Sequence, residues 1–372
     1  MANAASLVNF GSGGLEVGDW LYSIYTRSAP TYLPLTSYTS YLVSSYPALG
    51  ALIVPVITPV TYAATARTLP SNSYWSSVAY GNGVFVAVAG NISAIAASST
   101  DGITWTARTL PSASNWQSVT YGNGVFVAVS YTLGTVAATS TDGITWTART
   151  LPSSVNWVSV VYGNGVFVAV ANSTTSAASS TDGITWTART LPSAANYWSI
   201  AYGNGVFVAI PQGGTATATS PDGITWTAGT MSSNSQWNSV AFGNGVFVAV
   251  SMSIGTIAAT STDGLTWTAR TLPSSSYWSG VTFGNNSFLA VSGGTSGNST
   301  AAATSTDGVT WTSRVLPTNS PWYSVTFGNS LFVPVVYGGT AAASIAYAVN
   351  ATSFVLPKVQ PLTGTTPYVK AT

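Results

Sequence analysis

The chain has 372 residues, only 5% of them charged, with nine Lys or Arg against eight Asp or Glu and a formal net charge of +1. That balance offers no basic footprint for nucleic acid. It contains neither Cys nor His, which excludes disulfides and thiolate metal sites and removes the usual general base and commonest metal ligand. No metal and no cofactor is expected on this composition.

The first residues, MANAASLVNFGSGG, lack a basic stretch followed by an apolar one, so no signal peptide is expected. Residues 49–60 are the most apolar run, but Pro55 and Pro59 interrupt it, and it is too short to span a membrane. Membrane insertion is therefore not expected.

From residue 61 onward the chain repeats itself. A Trp opens each unit, at Trp75, Trp116, Trp157, Trp198, Trp237, Trp278 and Trp322, with spacings of 41, 41, 41, 39, 41 and 44 residues. Each unit reads as four strands. In the first, strand a is WSSVAY (75–80), b is VFVAV (84–88), c is AIAASS (94–99) and d is ITWTARTL (103–110). An Asn-Gly pair joins a to b, a strong hairpin signal. Thr-Asp-Gly joins c to d, again turn chemistry. Strand b is apolar at every position, which suits a strand covered on both faces. Repeats of about 41 residues with four short strands predict a β-propeller. The fold class is thus all-β, with seven four-stranded blades over residues 61–348.

Counting strands predicts how the ring closes. A lone d strand, TYAATARTL (61–69), precedes the first opener, and the seventh unit has a c strand near residues 340–346 but no d strand after it. The lone strand should complete that seventh blade and remove both open edges. Ala64 occupies the place where other d strands carry Trp.

The loops divide into two sets. Face 2 carries the a–b and c–d turns, which are nearly constant. Face 1 carries the b–c and d–a loops, which vary and are rich in Tyr, Ser, Gly and Asn, the composition of binding loops. The candidate receptor-binding residues there are Tyr74, Tyr131, Asn172, Gln212, Tyr277, Thr295, Asn298 and Tyr337. None of these loops carries a charge.

The segment STDGITW (99–105) and its equivalents carry Asp101, Asp142, Asp182, Asp222, Asp263 and Asp307. It resembles a shortened Asp-box of bacterial-neuraminidase-type propellers. That resemblance implies the fold and, more weakly, an activity on glycans. A glycosidase, however, needs two carboxylates converging on one bond. Six of the eight acids are turn equivalents spread around the ring, and the others are Glu16 and Asp19. The six are read as structural turns, and the chain as a non-enzyme. Six arginines, Arg67, Arg108, Arg149, Arg189, Arg270 and Arg314, also repeat, while blade 4 has Gly229. One Arg per outer strand guards an edge against aggregation. A sialidase-like arginine cluster is the sharper alternative. The d-strand Trp residues are expected between blades, and some openers are expected to be partly exposed.

Residues 18–53 contain Gly18-Asp19, Ala29-Pro30, Tyr32-Leu33-Pro34 and Ser45-Tyr46-Pro47-Ala48-Leu49, and the C-terminus holds Phe354-Val355-Leu356-Pro357 and Pro367-Tyr368-Val369-Lys370. These segments resemble the two ends of a phage tail-collar domain. The resemblance implies a collar-like module, residues 1–60 with 349–372, into which the propeller is inserted from face 2. It further implies a virion location, contacts with other virion proteins through that module, and a homo-oligomer such as a trimer. The expected function is that of a tail-fibre or tail-tip protein whose face 1 binds a host surface glycan or protein. The alternatives are a purely structural virion subunit and, third, a glycan hydrolase.

Overall fold

The computed structural model describes residues 61–348, together with short strands at Leu21–Tyr22, Tyr32–Leu33, Pro55–Val56 and Ser353–Phe354. The chain divides into two compact units, Met1–Thr61 with Val349–Thr372, and Tyr62–Ala348. In the first, Leu21–Tyr22 pairs with Tyr32–Leu33, and Pro55–Val56 pairs antiparallel with Ser353–Phe354, which joins a segment before the propeller to one after it. Most of the collar-like motif residues lie outside the described residues.

The second unit is a seven-bladed propeller. Seven sheets of four strands follow in order, each a simple antiparallel meander. Blade 1 comprises strands a (Trp75–Gly81), b (Val84–Ala89), c (Ser93–Ser99) and d (Thr106–Ser114). Asn82 and Gly83 both have positive φ, 48° and 77°, as the two-residue hairpin turn requires. In strand b the side chains of Phe85, Val86, Ala87 and Val88 are all fully buried, because each sheet is sandwiched between two others.

One contact explains why seven such sheets close. Strand a ends in an aromatic residue and then a glycine. A Cβ on Gly81 would fall inside the ring of Tyr121 from the next blade. The same fit recurs from Gly122 to Tyr162, Gly163 to Tyr202, Gly203 to Phe242, Gly243 to Phe283 and Gly284 to Phe327, and Gly328 receives Tyr80. Only glycine allows this approach, and its return to Tyr80 completes the ring. Serine hydroxyls reinforce it nearer the axis. Ser77 Oγ accepts from Val119 N–H (3.1 Å), and Ser118, Ser159, Ser199, Ser239 and Ser324 accept likewise from the next blade at 3.1–3.3 Å. Blades are thus joined without ion pairs.

The predicted seam forms. The seventh sheet holds Trp322–Gly328, Leu331–Val336, Ala341–Ala348 and Thr61–Thr68. Leu69 N–H donates to Thr340 O (2.7 Å), so the last two strands run antiparallel and the chain enters and leaves the propeller at face 2. Where Ala64 replaces Trp, Tyr347 packs on Phe332 at 6.3 Å, as Trp105 packs on Phe85 at 6.5 Å. Arg314 lies over the rings of Tyr62 (5.4 Å) and Tyr347 (5.7 Å), a cation–π contact at the seam.

Three readings of the sequence need correction. Strand d starts at Thr106 rather than residue 103, because the amides of Ile103 and Thr104 are taken up by Asp101 Oδ1 (both 2.8 Å). It then runs on to Ser114. The opener of blade 4 is Tyr197, paired with Pro211 and fully buried, while Trp198 is displaced by one position. Of the seven Trp residues read as openers only Trp198 is partly exposed: the other six are fully buried, and each Nε1–H donates to a carbonyl four residues earlier at 3.0–3.3 Å. The close packing of strands a and b leaves no route for water to these rings.

Candidate functional site

The two faces are built differently. At face 2 every described Asp-box is a closed hydrogen-bond unit. Asp101 Oδ1 accepts from Ile103 N–H, Thr104 N–H and Ser99 Oγ–H, and Ser99 Oγ accepts from Gly102 N–H, all at 2.8 Å. The Thr104 amide above all, joined by that of Ile103, holds the Asp101 carboxyl below its ordinary value against desolvation, which raises it. Asp142, Asp182 and Asp222 are lowered the same way; in Asp263 and Asp307 desolvation is the largest single influence, and the amide hydrogen bonds together outweigh it. The a–b turns add ties between blades: Asn123, Asn164, Asn204 and Asn244 Nδ2 donate to carbonyls of the next blade's c–d turn at 2.8–3.4 Å. One oxygen of each carboxylate, Oδ1, is thereby committed to its own turn.

The arginines do not cluster. Each Nε–H donates to a Ser or Thr hydroxyl on strand c of its own blade, Arg108 to Ser98 and Arg67 to Ser344 among them, at 2.8–3.0 Å. Blade 4 carries Gly229 because its outer strand lies against blade 5. Thr230 N–H donates to Leu265 O (2.8 Å), and a Cβ at 229 would stand 2.8 Å from Leu265 Cα.

Face 1 is where unlike residues converge. The position after each opener points toward the propeller axis and is occupied in turn by Ser76, Gln117, Val158, Trp198, Asn238, Ser279 and Tyr323, which with the serine ring line an axial cavity of about 110 Å³. Gln117 Nε2 donates to the Tyr323 hydroxyl (3.3 Å), which also faces Trp198 and Asn238. Burial first, with Tyr337 alongside, pushes the Tyr323 phenol up to about 12, against the hydrogen bond from Gln117. It therefore stays protonated and able to donate.

Several of the predicted loop residues join this cluster. Tyr337 packs on Tyr323 (5.0 Å) and Tyr74 packs edge-on to Tyr337 (4.9 Å). Tyr131 packs edge-on to Trp198 (5.6 Å). Gln212 Nε2 donates to Asn238 Oδ1 (3.3 Å). The loop with Thr295 is tied down at its buried start and exposed beyond it: Gly293 bridges to Trp322, Gly294–Ser296 forms one 3-10 turn, and the exposed Thr295 hydroxyl meets Met252 Sδ (3.9 Å). The other three do not line the axial cavity. Asn172 shares the Ser173 hydroxyl with Asn196, Tyr277 is half-buried with its carbonyl bound by Gly293 N–H, and Asn298 is exposed.

The reading from sequence missed Gln117, Trp198, Asn238 and Tyr323. A signal for them existed: the residue after the opener changes in nearly every blade, inside a strand that otherwise repeats. Taking Trp198 for an opener shifted blade 4 by one and hid the column.

Comparison with known proteins bears on the fold. The family model described as the DUF6242 beta propeller domain matches residues 61–191, from the seam strand into blade 3. No curated protein matches the chain. Virginiamycin B lyase from Staphylococcus aureus superposes with a TM-score of 0.67 at 11% identity, covering 77% of this chain and 99% of that one. YCF48 bound to D1 peptide gives 0.60 at 18%, covering 81% and 99%. YCF48 from Cyanidioschyzon merolae gives 0.59 at 17%, covering 76% and 98%. Likeness at these identities is a likeness of fold.

Proposed function

We propose that this chain is a non-enzymatic attachment protein of a phage particle, of the tail-fibre or tail-tip kind, which binds a host surface receptor through face 1. One observation carries the binding part. Face 2 is uniform and internally satisfied, whereas face 1 gathers Tyr74, Tyr131, Trp198, Tyr323 and Tyr337 with the amides of Gln117, Gln212 and Asn238 around the axis. Tyr323 and Asn238 are buried beneath the others, and the rigid rings above them, beside the amides of Gln117 and Gln212, form a recognition surface that costs little side-chain entropy on binding. The phage assignment rests on the terminal segments that resemble a tail-collar domain. No catalytic step is assigned, since the described carboxylates sit one to a blade, each with Oδ1 anchored in its own turn, whereas glycosidic cleavage needs two that flank one bond.

The test is adsorption of particles carrying the paired change Tyr131→Ala and Trp198→Ala, against particles with Asn82→Ala in a face 2 turn. Adsorption is expected to fall in the first and persist in the second. The site is uncharged, so raising salt from about 0.1 M to about 1 M, which shortens screening from about 10 Å to about 3 Å, leaves wild-type adsorption within about twofold. Adsorption indifferent to the face 1 changes would instead favour a purely structural subunit.

A further inference from the structure

The seam shares with blade 4, whose d strand stops at Thr230, a feature that is absent from the other five blades. In blades 1, 2, 3, 5 and 6 strand d continues along its own strand c as far as Ser114, Val155, Ala195, Ser276 and Ser320. In blade 7 the strand stops at Thr68. The following residues bend at Pro70 and Ser71 and stay tied to the b–c loop of blade 7: Ser73 N–H donates to Gly339 O and Gly338 N–H to Ser73 O, both at 3.2 Å. Between this bent segment and blade 1 lies a cleft of about 340 Å³ on face 1, walled by Asn72, Tyr74, Asn91, Ser93, Ile95 and Gly338.

The chemistry of those walls is specific. Tyr74 is 41% exposed, yet its ring is held edge-on by Tyr337 at 4.9 Å. Asn91 sits at φ 63°, with its N–H donated to Asn115 Oδ1 (2.9 Å). The side-chain carboxamides of Asn72 and Asn91 are exposed and hold no hydrogen bond to any described residue. Ser93 adds a hydroxyl and Ile95 an apolar patch. No Asp, Glu, Lys or Arg lines the cleft. A fixed aromatic ring, two unengaged carboxamides and a hydroxyl match a ligand with apolar C–H faces and neutral hydroxyls. The volume falls at the small end of the range for ligand sites, about 300–1,000 Å³, and suits one or two pyranose rings. A protein partner would need about 800 Å² of surface, far beyond such a cleft. An anionic sugar would bring a carboxylate with no cation to meet it.

We infer that the seam cleft is a binding site for a neutral carbohydrate, with Tyr74 as the stacking platform and Asn72 and Asn91 as hydroxyl-reading groups. This rests on the reading of face 1 as the recognition surface and gives it a ligand class. A single sugar engages weakly, and several copies acting together supply attachment.

The test uses the full chain with neutral methyl glycosides of glucose, galactose, mannose and N-acetylglucosamine, followed by ligand-observed NMR. At least one should bind saturably. Tyr74→Ala should weaken it at least tenfold, and Tyr74→Phe should restore most of the affinity. Asn91→Gly keeps the left-handed backbone and should weaken binding severalfold. Asn82→Ala, in a face 2 turn, should leave sugar binding unchanged. Circular dichroism melts confirm folding in each variant. The inference is overturned if no glycoside binds, or if binding survives Tyr74→Ala and Asn91→Gly in folded protein. Face 1 variants that abolish adsorption while no sugar binds would sink this site and leave the attachment reading standing. Sugar binding at the seam with adsorption indifferent to face 1 would do the reverse.

Discussion

Trp157 and Trp198 look equivalent in the repeat, yet removing each should have different consequences. Trp157 is fully buried between blades, and its Nε1–H donates to Ser153 O (3.1 Å). Burying about 200 Å² of aromatic surface at about 25 cal/mol per Å² contributes about 5 kcal/mol. Trp157→Ala should then cost about 3–5 kcal/mol, the usual range for a large aromatic truncated in a core. Tyr197 fills the same place in blade 4, and its hydroxyl reaches Ser193 Oγ (3.4 Å). Tyr197→Ala should cost about 3–4 kcal/mol. Trp198 is only half-buried and packs on Tyr131 at the axial mouth, so Trp198→Ala should cost about 1–2 kcal/mol. Urea unfolding followed by far-ultraviolet circular dichroism measures all three. The assignment of Tyr197 as opener is refuted if Trp198→Ala costs as much as Trp157→Ala while Tyr197→Ala is mild.

Two other outcomes are expected. Restoring the missing arginine of blade 4 with Gly229→Arg should destabilise by about 1–3 kcal/mol through overpacking, since its Cβ would meet Leu265 at 2.8 Å; an unchanged or raised melting temperature would contradict the close join of blades 4 and 5. Stability should also be flat from about pH 5 to pH 9, because the chain has no His or Cys and ordinary carboxyl and phenol groups titrate outside that window. Amide hydrogen bonds lower the six Asp-box carboxyls in the folded state. Their contribution is therefore complete above the unfolded value near 4 and is lost as pH falls through the folded value. Thermal melts across pH should show that acid limb, and Asp101→Asn should remove about 1 kcal/mol at neutral pH. A stability step between pH 5 and pH 8 would contradict it.

Much of the propeller is legible in the sequence because its signals are local and repeated. An Asn-Gly turn, an Asp-box and an apolar strand b each act within a few residues, and seven copies make the period plain. The same pattern contains the seam, since a d strand before the first opener has no partner other than the blade that lacks one. Tertiary structure decided what the blades do not share. Tyr197 became the opener only because its pairing with Pro211 placed it between sheets, and Gly229 is explained only by the proximity of Leu265. The axial cluster of Gln117, Trp198, Asn238 and Tyr323 brings together residues separated by up to 206 positions, and the seam cleft joins residues 72–74 to Gly338. A repeat encodes the contacts that every blade makes with its neighbour. It does not encode which unlike side chains meet at the axis or at the closure, because those distances exist only once the ring has closed.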